Sequence, residues 1–336
     1  MLRIGILGCG YIAERYATLI CDGIEGLSLI GVCDTDAEKS RRFAKKYNTE
    51  ALTPDDMTKD RIDIVCICTP NNLHSEHAIR YLSSGKDVII EHPLATTLDE
   101  ARKVIEAATK NGAKAFLVRQ RRYLKSIQML RKAINSKIIT PKSAEAILFW
   151  NRREDYYKEV PWRNSKENGG VIINQASHFI DLVDYLLGSN IKDIKGTIGN
   201  AKHNIVVEDT AAGIITYQNG VTVNLLMSTA APEGVNYANL TINCVDRVIS
   251  LSGKQWEELE GFSSEELEFL TFDPEEEKIL GGNHKSFLER VVDCINGKDT
   301  EVSEAIDGIK TSELIDAMYD NFQFDSQKVM NIIKTL

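Results

Sequence analysis

Short apolar runs alternate with helical patterns over roughly the first third of the chain, and this alternation constrains the fold more than any other feature. Runs that are apolar throughout predict strands at residues 2–7, 29–33, 62–68, 88–90 and 115–118. The segments between them carry apolar residues at helical spacing. Uniformly apolar strands separated by helices are typical of a parallel sheet covered on both faces. The sequence therefore predicts a doubly wound α/β domain over residues 1–120.

The pattern changes after about residue 140. Strands follow one another at residues 144–150, 191–198, 211–217, 221–227, 240–243 and 248–251. The turn Gln218-Asn219-Gly220 predicts a tight hairpin, since Asn-Gly readily adopts positive φ. Helices are predicted at 174–187, 285–295 and 303–322. We therefore expect residues 121–336 to form an α+β domain with a mainly antiparallel, open sheet.

Composition excludes several classes of protein. A net charge of -9 over 336 residues gives no overall positive field for nucleic acid. No stretch approaches the roughly 20 apolar residues that a membrane span needs, and the N-terminus lacks the pattern of a signal peptide. The seven cysteines are odd in number and scattered, without metal-ligand spacing. We expect a cytoplasmic protein that has a small-molecule substrate and binds no nucleic acid, membrane or metal.

The first strand runs directly into Gly8-Cys9-Gly10-Tyr11-Ile12-Ala13, a G-x-G-x-x-A pattern at the start of a helix. In this context the glycines permit a tight turn and a close approach of a pyrophosphate to the helix N-terminus. An acidic residue after the second strand suits an adenosine ribose and would repel a 2'-phosphate, so NAD is favoured over NADP. The residues predicted to contact the cofactor here are Gly8, Gly10, Tyr11, Ile12 and Asp34.

Further motifs follow in both halves of the chain. They are Thr69-Pro70-Asn71-Asn72-Leu73-His74, Glu91-His92-Pro93, Pro161-Trp162-Arg163, Gly169-Gly170-Val171, Asn174-Gln175-Ala176-Ser177-His178 and Val207-Glu208-Asp209-Thr210. Together with the glycine turn, they resemble the glucose-fructose oxidoreductase, inositol dehydrogenase and MocA (Gfo/Idh/MocA) family. Within that family the chain looks most like the UDP-N-acetylglucosaminuronate 3-dehydrogenases.

The resemblance implies an NAD-binding Rossmann domain and a second domain whose open sheet builds the substrate pocket and commonly a homo-oligomer interface, as a dimer or tetramer. It also implies further cofactor contacts. These are Thr69, Pro70, Asn71, Leu73, His74, Glu91, His92, Trp162 and Arg163. Trp162 and Arg163 have an alternative interpretation as an aromatic anchor and a surface cation.

One position departs from the family pattern. Members typically carry lysine between the glutamate and the proline, where this chain has His92. Imidazole can exchange a proton near neutral pH, since its free pKa is about 6.5. Either His92 takes over the acid-base role, or the reaction differs from ordinary hydride transfer, or the protein is inactive.

The predicted helix at 174–187 supplies the other catalytic candidates. Asn174, His178 and Asp181 are spaced i, i+4 and i+7, so a regular helix would place them on one face. Alcohol oxidation needs a base for the hydroxyl proton, and His178 is the leading candidate. Asn174 would orient the substrate hydroxyl, and Asp181 would hold an imidazole tautomer. The predicted substrate-binding residues are Arg121, Tyr123, Asn174 and His178.

These features favour an NAD-dependent oxidoreductase that transfers hydride between nicotinamide and a sugar or nucleotide-sugar carbon, with a UDP-N-acetyl-hexuronate as one candidate substrate. A second hypothesis is a glycosidase in which tightly held NAD is recycled within each turnover. The third is a cofactor-binding protein without catalysis, because the family lysine is replaced by His92.

Overall fold

A computed structural model of the chain describes residues 1–253, 256–272, 284–298 and 301–335. Its α-helices are α1 (Tyr11–Cys21), α2 (Ala37–Lys46), α3 (His74–Ser83), α4 (Leu98–Asn111), α5 (Lys125–Asn135), α6 (Glu154–Lys158), α7 (Ser177–Leu187), α8 (Ser264–Leu270), α9 (His284–Ile295), α10 (Ile309–Asn321) and α11 (Ser326–Lys334). Its strands are β1 (Leu2–Leu7), β2 (Leu27–Cys33), β3 (Glu50–Ala51), β4 (Ile64–Ile67), β5 (Asp87–Ile90), β6 (Ala115–Leu117), β7 (Pro141–Trp150), β8 (Ile191–Gly199), β9 (Thr210–Tyr217), β10 (Thr222–Ser228), β11 (Asn236–Cys244), β12 (Val248–Ser252), β13 (Glu258–Glu260) and β14 (Phe322–Phe324).

The chain divides into two compact units. The first comprises Met1–Gln120 and Asn283–Ser312, and the second comprises Arg121–Gly282 and Glu313–Leu336. This division differs from the predicted domain 121–336, because the later segment returns to the first unit. There the N–H of Leu117 donates to the carbonyl of Ser303 at 3.0 Å, and Arg119 Nε donates to the Ser303 hydroxyl at 2.6 Å.

The first unit contains a six-stranded parallel sheet in the order β3-β2-β1-β4-β5-β6. All four residues of β4 are buried, as expected for a strand covered on both faces. The strand order reverses between β1 and β4, which is the position where ligands bind in doubly wound sheets. The predicted doubly wound fold is confirmed.

The second unit contains an eight-stranded sheet in the order β13-β12-β11-β7-β10-β9-β8-β14. Two neighbouring pairs are parallel, β7 with β10 and β8 with β14, and the other pairs are antiparallel. Ala144, Ala146 and Leu148 alternate along β7 and enter the hydrophobic core, whereas Glu145 is exposed. The prediction of a mainly antiparallel, open sheet is confirmed.

The β9–β10 hairpin has the predicted partners but a different turn. The N–H of Tyr217 donates to the carbonyl of Val221 at 2.9 Å, so the loop has three residues. Gly220 has a φ of 88°, whereas Asn219 is not in the positive-φ region. This is the pattern of a three-residue loop with a left-handed glycine, not the expected two-residue Asn-Gly turn.

Candidate functional site

The turn after β1 can be built only with glycine at its first position. Gly8 has a φ of 93°, and a Cβ there would lie 2.6 Å from the carbonyl oxygen of Cys68. A Cβ at Gly10 would meet no described atom within 4 Å, so this stretch of backbone is open. No described side chain caps the first turn of α1. Open backbone and an uncapped helix N-terminus fit the pyrophosphate of a dinucleotide.

Asp34 lies just after β2, at the same edge of the sheet. Its Oδ2 accepts hydrogen bonds from the Cys9 N–H at 2.7 Å and from Lys39 Nζ at 3.1 Å, and its Oδ1 accepts one from the Asp36 N–H at 3.0 Å. Burial alone would raise the pKa of Asp34, but these hydrogen bonds hold it below its usual value. Asp34 is therefore an ionised acceptor suited to ribose hydroxyls. Lys39 was not predicted from the sequence, although its position in the first turn of α2 keeps it near the end of β2.

His74 joins the loops that follow β4 and β5. Its Nδ1 lies 2.6 Å from the carbonyl oxygen of Pro93, and its Nε2 lies 2.9 Å from that of Thr69. The side chain is buried, and burial lowers the pKa of the imidazole, although both carbonyls oppose this shift. This placement differs from the predicted cofactor contact, because both ring nitrogens are taken up by backbone carbonyls. Asn71 is also buried.

Glu91 belongs to a buried polar cluster with two residues that the sequence analysis missed. The Tyr16 hydroxyl donates to Glu91 Oε1 at 2.5 Å, and His284 Nε2 lies 3.6 Å from the same oxygen. The Tyr16 and His284 rings pack edge to face at 5.2 Å. Burial and the nearby Glu91 carboxyl raise the pKa of Tyr16 well above its usual value. Glu91 Oε2 accepts a hydrogen bond from the His92 N–H at 3.3 Å, so the cluster fixes the backbone of His92.

Asn174 does not lie on a regular helix. It occupies a π-helical turn, Val171–Gln175, that precedes α7. A π-turn has more residues per turn than an α-helix, so the predicted i, i+4, i+7 face does not extend to Asn174. His178 and Asp181 both lie in α7, where an i, i+3 spacing keeps them on one face.

A buried carboxyl holds this π-turn in place. The Glu208 side chain accepts hydrogen bonds from the Ile172 N–H at 3.2 Å and from the Tyr319 hydroxyl at 2.8 Å. Burial raises the pKa of Glu208. Gly170 passes so close that a Cβ there would lie 2.4 Å from the carboxyl carbon of Glu208. The motifs Gly169-Gly170-Val171 and Val207-Glu208 therefore meet to shape the backbone that presents Asn174.

Asp181 has a different partner from the one predicted. Arg122 donates to both of its carboxylate oxygens, from Nε at 2.8 Å and from Nη2 at 2.6 Å. The Asp181 side chain is 2% exposed, and the Arg122 guanidinium stacks on the Tyr185 ring at 4.3 Å. This bidentate ion pair gives Asp181 a structural role. Its predicted role in holding an imidazole remains a hypothesis.

The cations between residues 119 and 125 differ in their surroundings. Arg119 is buried and pairs with Asp307 at 3.2 Å. Arg121 is half-buried, and burial lowers its pKa, while no described carboxylate pairs with it. Tyr123 is 7% exposed, which leaves little of its side chain for a substrate. Of the two predicted substrate contacts in this segment, Arg121 is therefore more accessible to a substrate than Tyr123.

Trp162 and Arg163 belong to a group of alternating arginines and aromatic rings, which we call the arginine–aromatic cluster. The Arg163 guanidinium stacks on Tyr156 at 4.0 Å and on Trp162 at 5.5 Å. Arg152 stacks on Tyr156 at 5.3 Å and on Trp150 at 5.1 Å. The cluster consists of Trp150, Arg152, Tyr156, Trp162 and Arg163. Trp162 and Arg163 were predicted from the sequence as site residues, whereas the other three were not.

Gln175 links this cluster to Asn174. Its Oε1 accepts a hydrogen bond from Arg152 Nε at 2.9 Å. Its Nε2 donates to the Tyr156 hydroxyl at 2.6 Å and to Asn174 Oδ1 at 3.2 Å. The side chain that we expect to orient a substrate hydroxyl is therefore continuous with the cluster.

A charged pair anchors the other side of Arg152. His203 Nδ1 lies 2.9 Å from Asp209 Oδ2, and its Nε2 lies 2.8 Å from the carbonyl oxygen of Arg152. Burial alone would lower the pKa of His203, but the Asp209 carboxylate and this carbonyl raise it. Burial opposes the ionisation of Asp209, yet hydrogen bonds from His203 and neighbouring N–H groups lower its pKa. Both neighbours of the imidazole are acceptors, so the doubly protonated ring satisfies both.

Within residues 1–253, 256–272, 284–298 and 301–335, no group of three or more His, Cys, Asp and Glu side chains is arranged to hold a metal ion. No helix in the same ranges is both long and apolar enough to cross a membrane.

Two family models match the chain. One is described as an oxidoreductase family with an NAD-binding Rossmann fold and matches residues 2–119. The other is the Gfo/Idh/MocA C-terminal domain and matches residues 127–249. Each match falls within one of the two compact units.

Similar proteins cover much of the chain. Glucose-6-phosphate 3-dehydrogenase of Bacillus subtilis is 27% identical over 71% of this chain and 71% of its own length. Oxidoreductase P35 of Formosa agariphila is 30% identical over 65% of this chain and 69% of its own. The crystal structure of the WlbA dehydrogenase from Chromobacterium violaceum, in complex with NADH and UDP-GlcNAcA, is 26% identical, covers 97% of this chain and 94% of its own, and has a TM-score of 0.86.

Proposed function

This chain belongs to the Gfo/Idh/MocA family of oxidoreductases with an NAD-binding Rossmann fold, and on that premise we propose that it oxidises a hydroxyl of a sugar or nucleotide sugar. The sequence-based recognition of the family is thereby confirmed. The observation that carries the proposal is the open glycine turn beside an ionised Asp34 at the reversal point of the sheet. Relatives named for sugar-phosphate and nucleotide-sugar substrates support this substrate class, including a UDP-N-acetyl-hexuronate.

The first unit would hold the cofactor. Gly8 and Gly10 would let the backbone approach the pyrophosphate, next to Tyr11 and Ile12 at the start of α1. Asp34 would accept hydrogen bonds from the adenosine ribose and repel a 2'-phosphate. When bound, NAD supplies the acceptor for the hydride that leaves the substrate carbon. His74 contributes by fixing the carbonyls of Thr69 and Pro93, and so the loops on which Glu91 and His92 lie.

The second unit would handle the hydroxyl proton. A ring nitrogen of His178 accepts this proton as the substrate is oxidised, because an imidazole is a base of suitable strength near neutral pH. The Asn174 side chain orients the hydroxyl, and Gln175 holds that side chain through its hydrogen bond to Oδ1 at 3.2 Å. Arg121 offers a cation to an acidic or phosphorylated substrate. His92 is a second candidate for proton transfer, in place of the family lysine.

Replacement of His178 tests this assignment. We expect His178→Ala to lower kcat by at least about 100-fold, the lower range for loss of a general base, with the melting temperature little changed. A near-normal kcat would show that another group takes the proton.

His92→Ala lowers kcat at saturating cofactor if His92 shares the role. His92→Lys, which restores the family residue, should retain turnover.

We also propose a cytoplasmic homo-oligomer that associates through the open face of the second sheet. Ile214 and Tyr237 are 49% and 44% exposed, and large exposed apolar side chains on a sheet face favour association. The seven cysteines are all unpaired, which suits a reducing compartment.

A further inference from the structure

We propose that Arg152 and the cavity that it lines form a subsite for the phosphate of a phosphorylated sugar or nucleotide sugar. The inference rests on the proposed function and specifies its substrate class. The family resemblance did not assign Arg152 a role. The two acidic residues that follow it in the sequence pair with other cations, Glu154 with Lys158 at 3.6 Å and Asp155 with Arg153 at 3.9 Å.

The hydrogen bonds of Arg152 leave donors free. A guanidinium carries five N–H groups. Nε donates to Gln175 Oε1 at 2.9 Å, and Nη1 donates to the carbonyl of Asn151 at 3.0 Å. The described residues offer no acceptor for the remaining N–H groups and no carboxylate to balance the charge. A phosphate group supplies both the hydrogen-bond acceptors and the negative charge, since guanidinium binds phosphate oxygens through paired N–H donors.

Arg152 is held in position before any ligand arrives. Its backbone N–H donates to the carbonyl of Thr229 at 3.1 Å, and its own carbonyl accepts from His203 Nε2 at 2.8 Å. The guanidinium packs on the Trp150 and Tyr156 rings, at 5.1 and 5.3 Å from their centroids. A cation fixed in this way loses little conformational entropy on binding, so its hydrogen bonds contribute more to affinity.

The cavity provides room for the group. It measures about 220 Å³ and is lined by Trp150, Arg152, Asn236, Ala238, Gly253 and Trp256. This is smaller than the roughly 300–1,000 Å³ of pockets for drug-sized ligands, so it suits one phosphate with an adjoining ring. The Trp150 indole offers a flat apolar face, and the Asn236 amide can donate and accept. Trp256 is buried in the core and forms part of the cavity wall.

A second cation lies in the same cluster. Arg163 stacks on the Tyr156 ring at 4.0 Å, and its Nε is buried with no partner among the described residues. Buried polar groups are normally hydrogen-bonded, so an unpaired guanidinium N–H indicates a missing acceptor. The two guanidinium groups on one ring, neither balanced by a described carboxylate, favour an anionic ligand over a neutral sugar.

Arg152→Gln tests the subsite, with Arg153→Gln as its matched control. Arg153 is the next residue, but its side chain is 73% exposed and its acidic neighbours lie 3.9 Å away. The substrates are two pairs, glucose 6-phosphate with glucose and UDP-N-acetylglucosamine with N-acetylglucosamine. We expect Arg152→Gln to lower kcat/KM roughly 10- to 100-fold more for the phosphorylated member that is turned over than for its neutral counterpart, mainly through KM. Any loss through the Arg152–Gln175 hydrogen bond affects both members alike, so the ratio of the two losses isolates the phosphate contact. Arg152→Lys should lose less than the glutamine variant.

Equal losses on both members of a pair, or equal effects of the two glutamine variants, would overturn the subsite while leaving the dehydrogenase proposal intact. The substrate pair whose phosphorylated member loses more activity shows whether the subsite binds a sugar phosphate or a nucleotide sugar. If the wild type oxidises no sugar, the proposed function fails, and titrations with UDP and inorganic phosphate decide the subsite. All three tryptophans of the chain lie in the cluster or the cavity wall, so intrinsic fluorescence reports binding there. Quenching in the wild type and Arg153→Gln but not in Arg152→Gln supports the subsite, and any other pattern overturns it.

Discussion

Replacing Asp181 with asparagine separates its structural role from the catalytic one that the sequence predicts. The change removes a carboxylate that binds Arg122 through two hydrogen bonds at 2.6 and 2.8 Å. Removing one partner of a buried ion pair costs about 3–5 kcal/mol, because the other charge stays behind unpaired. Arg122 retains 16% side-chain exposure, so we expect the lower end, about 3 kcal/mol. For a domain of 150–250 residues this corresponds to a fall in Tm of roughly 6–12 °C.

Urea unfolding followed by tryptophan fluorescence measures the loss, and Asp193→Asn is the control. Asp193 pairs with Lys195 on the surface, where the side chains are 53% and 79% exposed, so its loss should leave the free energy of unfolding nearly unchanged. Replacing Arg122 and Asp181 together with methionine and leucine should recover most of the stability. Wild-type stability of Asp181→Asn, combined with a large fall in kcat, would refute this reasoning and favour the imidazole-holding role.

Three further predictions follow from the described contacts. Asp34→Ala should raise the KM for NAD by roughly 10-fold or more, since it removes a charged acceptor, and an unchanged KM in initial-rate assays would contradict the ribose assignment. His203 has a raised pKa and Asp209 a lowered one, so their stabilisation should be greatest between about pH 4 and 6.5, the ordinary pKa values of the two groups. It should fade as pH rises through the folded pKa of His203 and as pH falls through the folded pKa of Asp209. Melting curves of wild type and His203→Gln should therefore converge at high pH, and a constant gap would argue against the pair. Ile214→Asp should shift the protein to a smaller species in sedimentation, unlike the control Arg42→Asp on α2 of the first unit, where the side chain is 71% exposed, and equal behaviour would exclude this face as the interface.

The fold of the first unit was predictable because short stretches of sequence determine its strands and its cofactor-binding turn. Uniformly apolar runs mark buried parallel strands, and the glycine turn and Asp34 follow strand ends directly. Arg152 and Lys39 gave no such signal. Both side chains are positioned by residues on other elements. An arginine or lysine in a charged stretch of sequence looks the same whether it is exposed to solvent or fixed by hydrogen bonds.

The π-turn before α7 and the partners of Asp181 and Glu91 depend on residues that are distant in sequence. Glu208, which holds the π-turn, lies 36 residues from Ile172, and Arg122 lies 59 residues from Asp181. His284 reaches Glu91 only because the chain returns to the first unit. Periodicity describes one element at a time, so it predicted a continuous helix at 174–187 and an available Asp181.

Parallel recording of NADH formation and glycoside release tests the central claim most directly, with a panel of free sugars, sugar phosphates, UDP-sugars and sugar acids. We predict NADH accumulation in proportion to oxidised sugar, without release of the glycosidic group, and loss of both NADH and product in His178→Ala. Hydrolysis without NADH accumulation would identify a glycosidase with recycled cofactor, and NAD binding without turnover on any sugar would identify a cofactor-binding protein; either result would contradict the dehydrogenase.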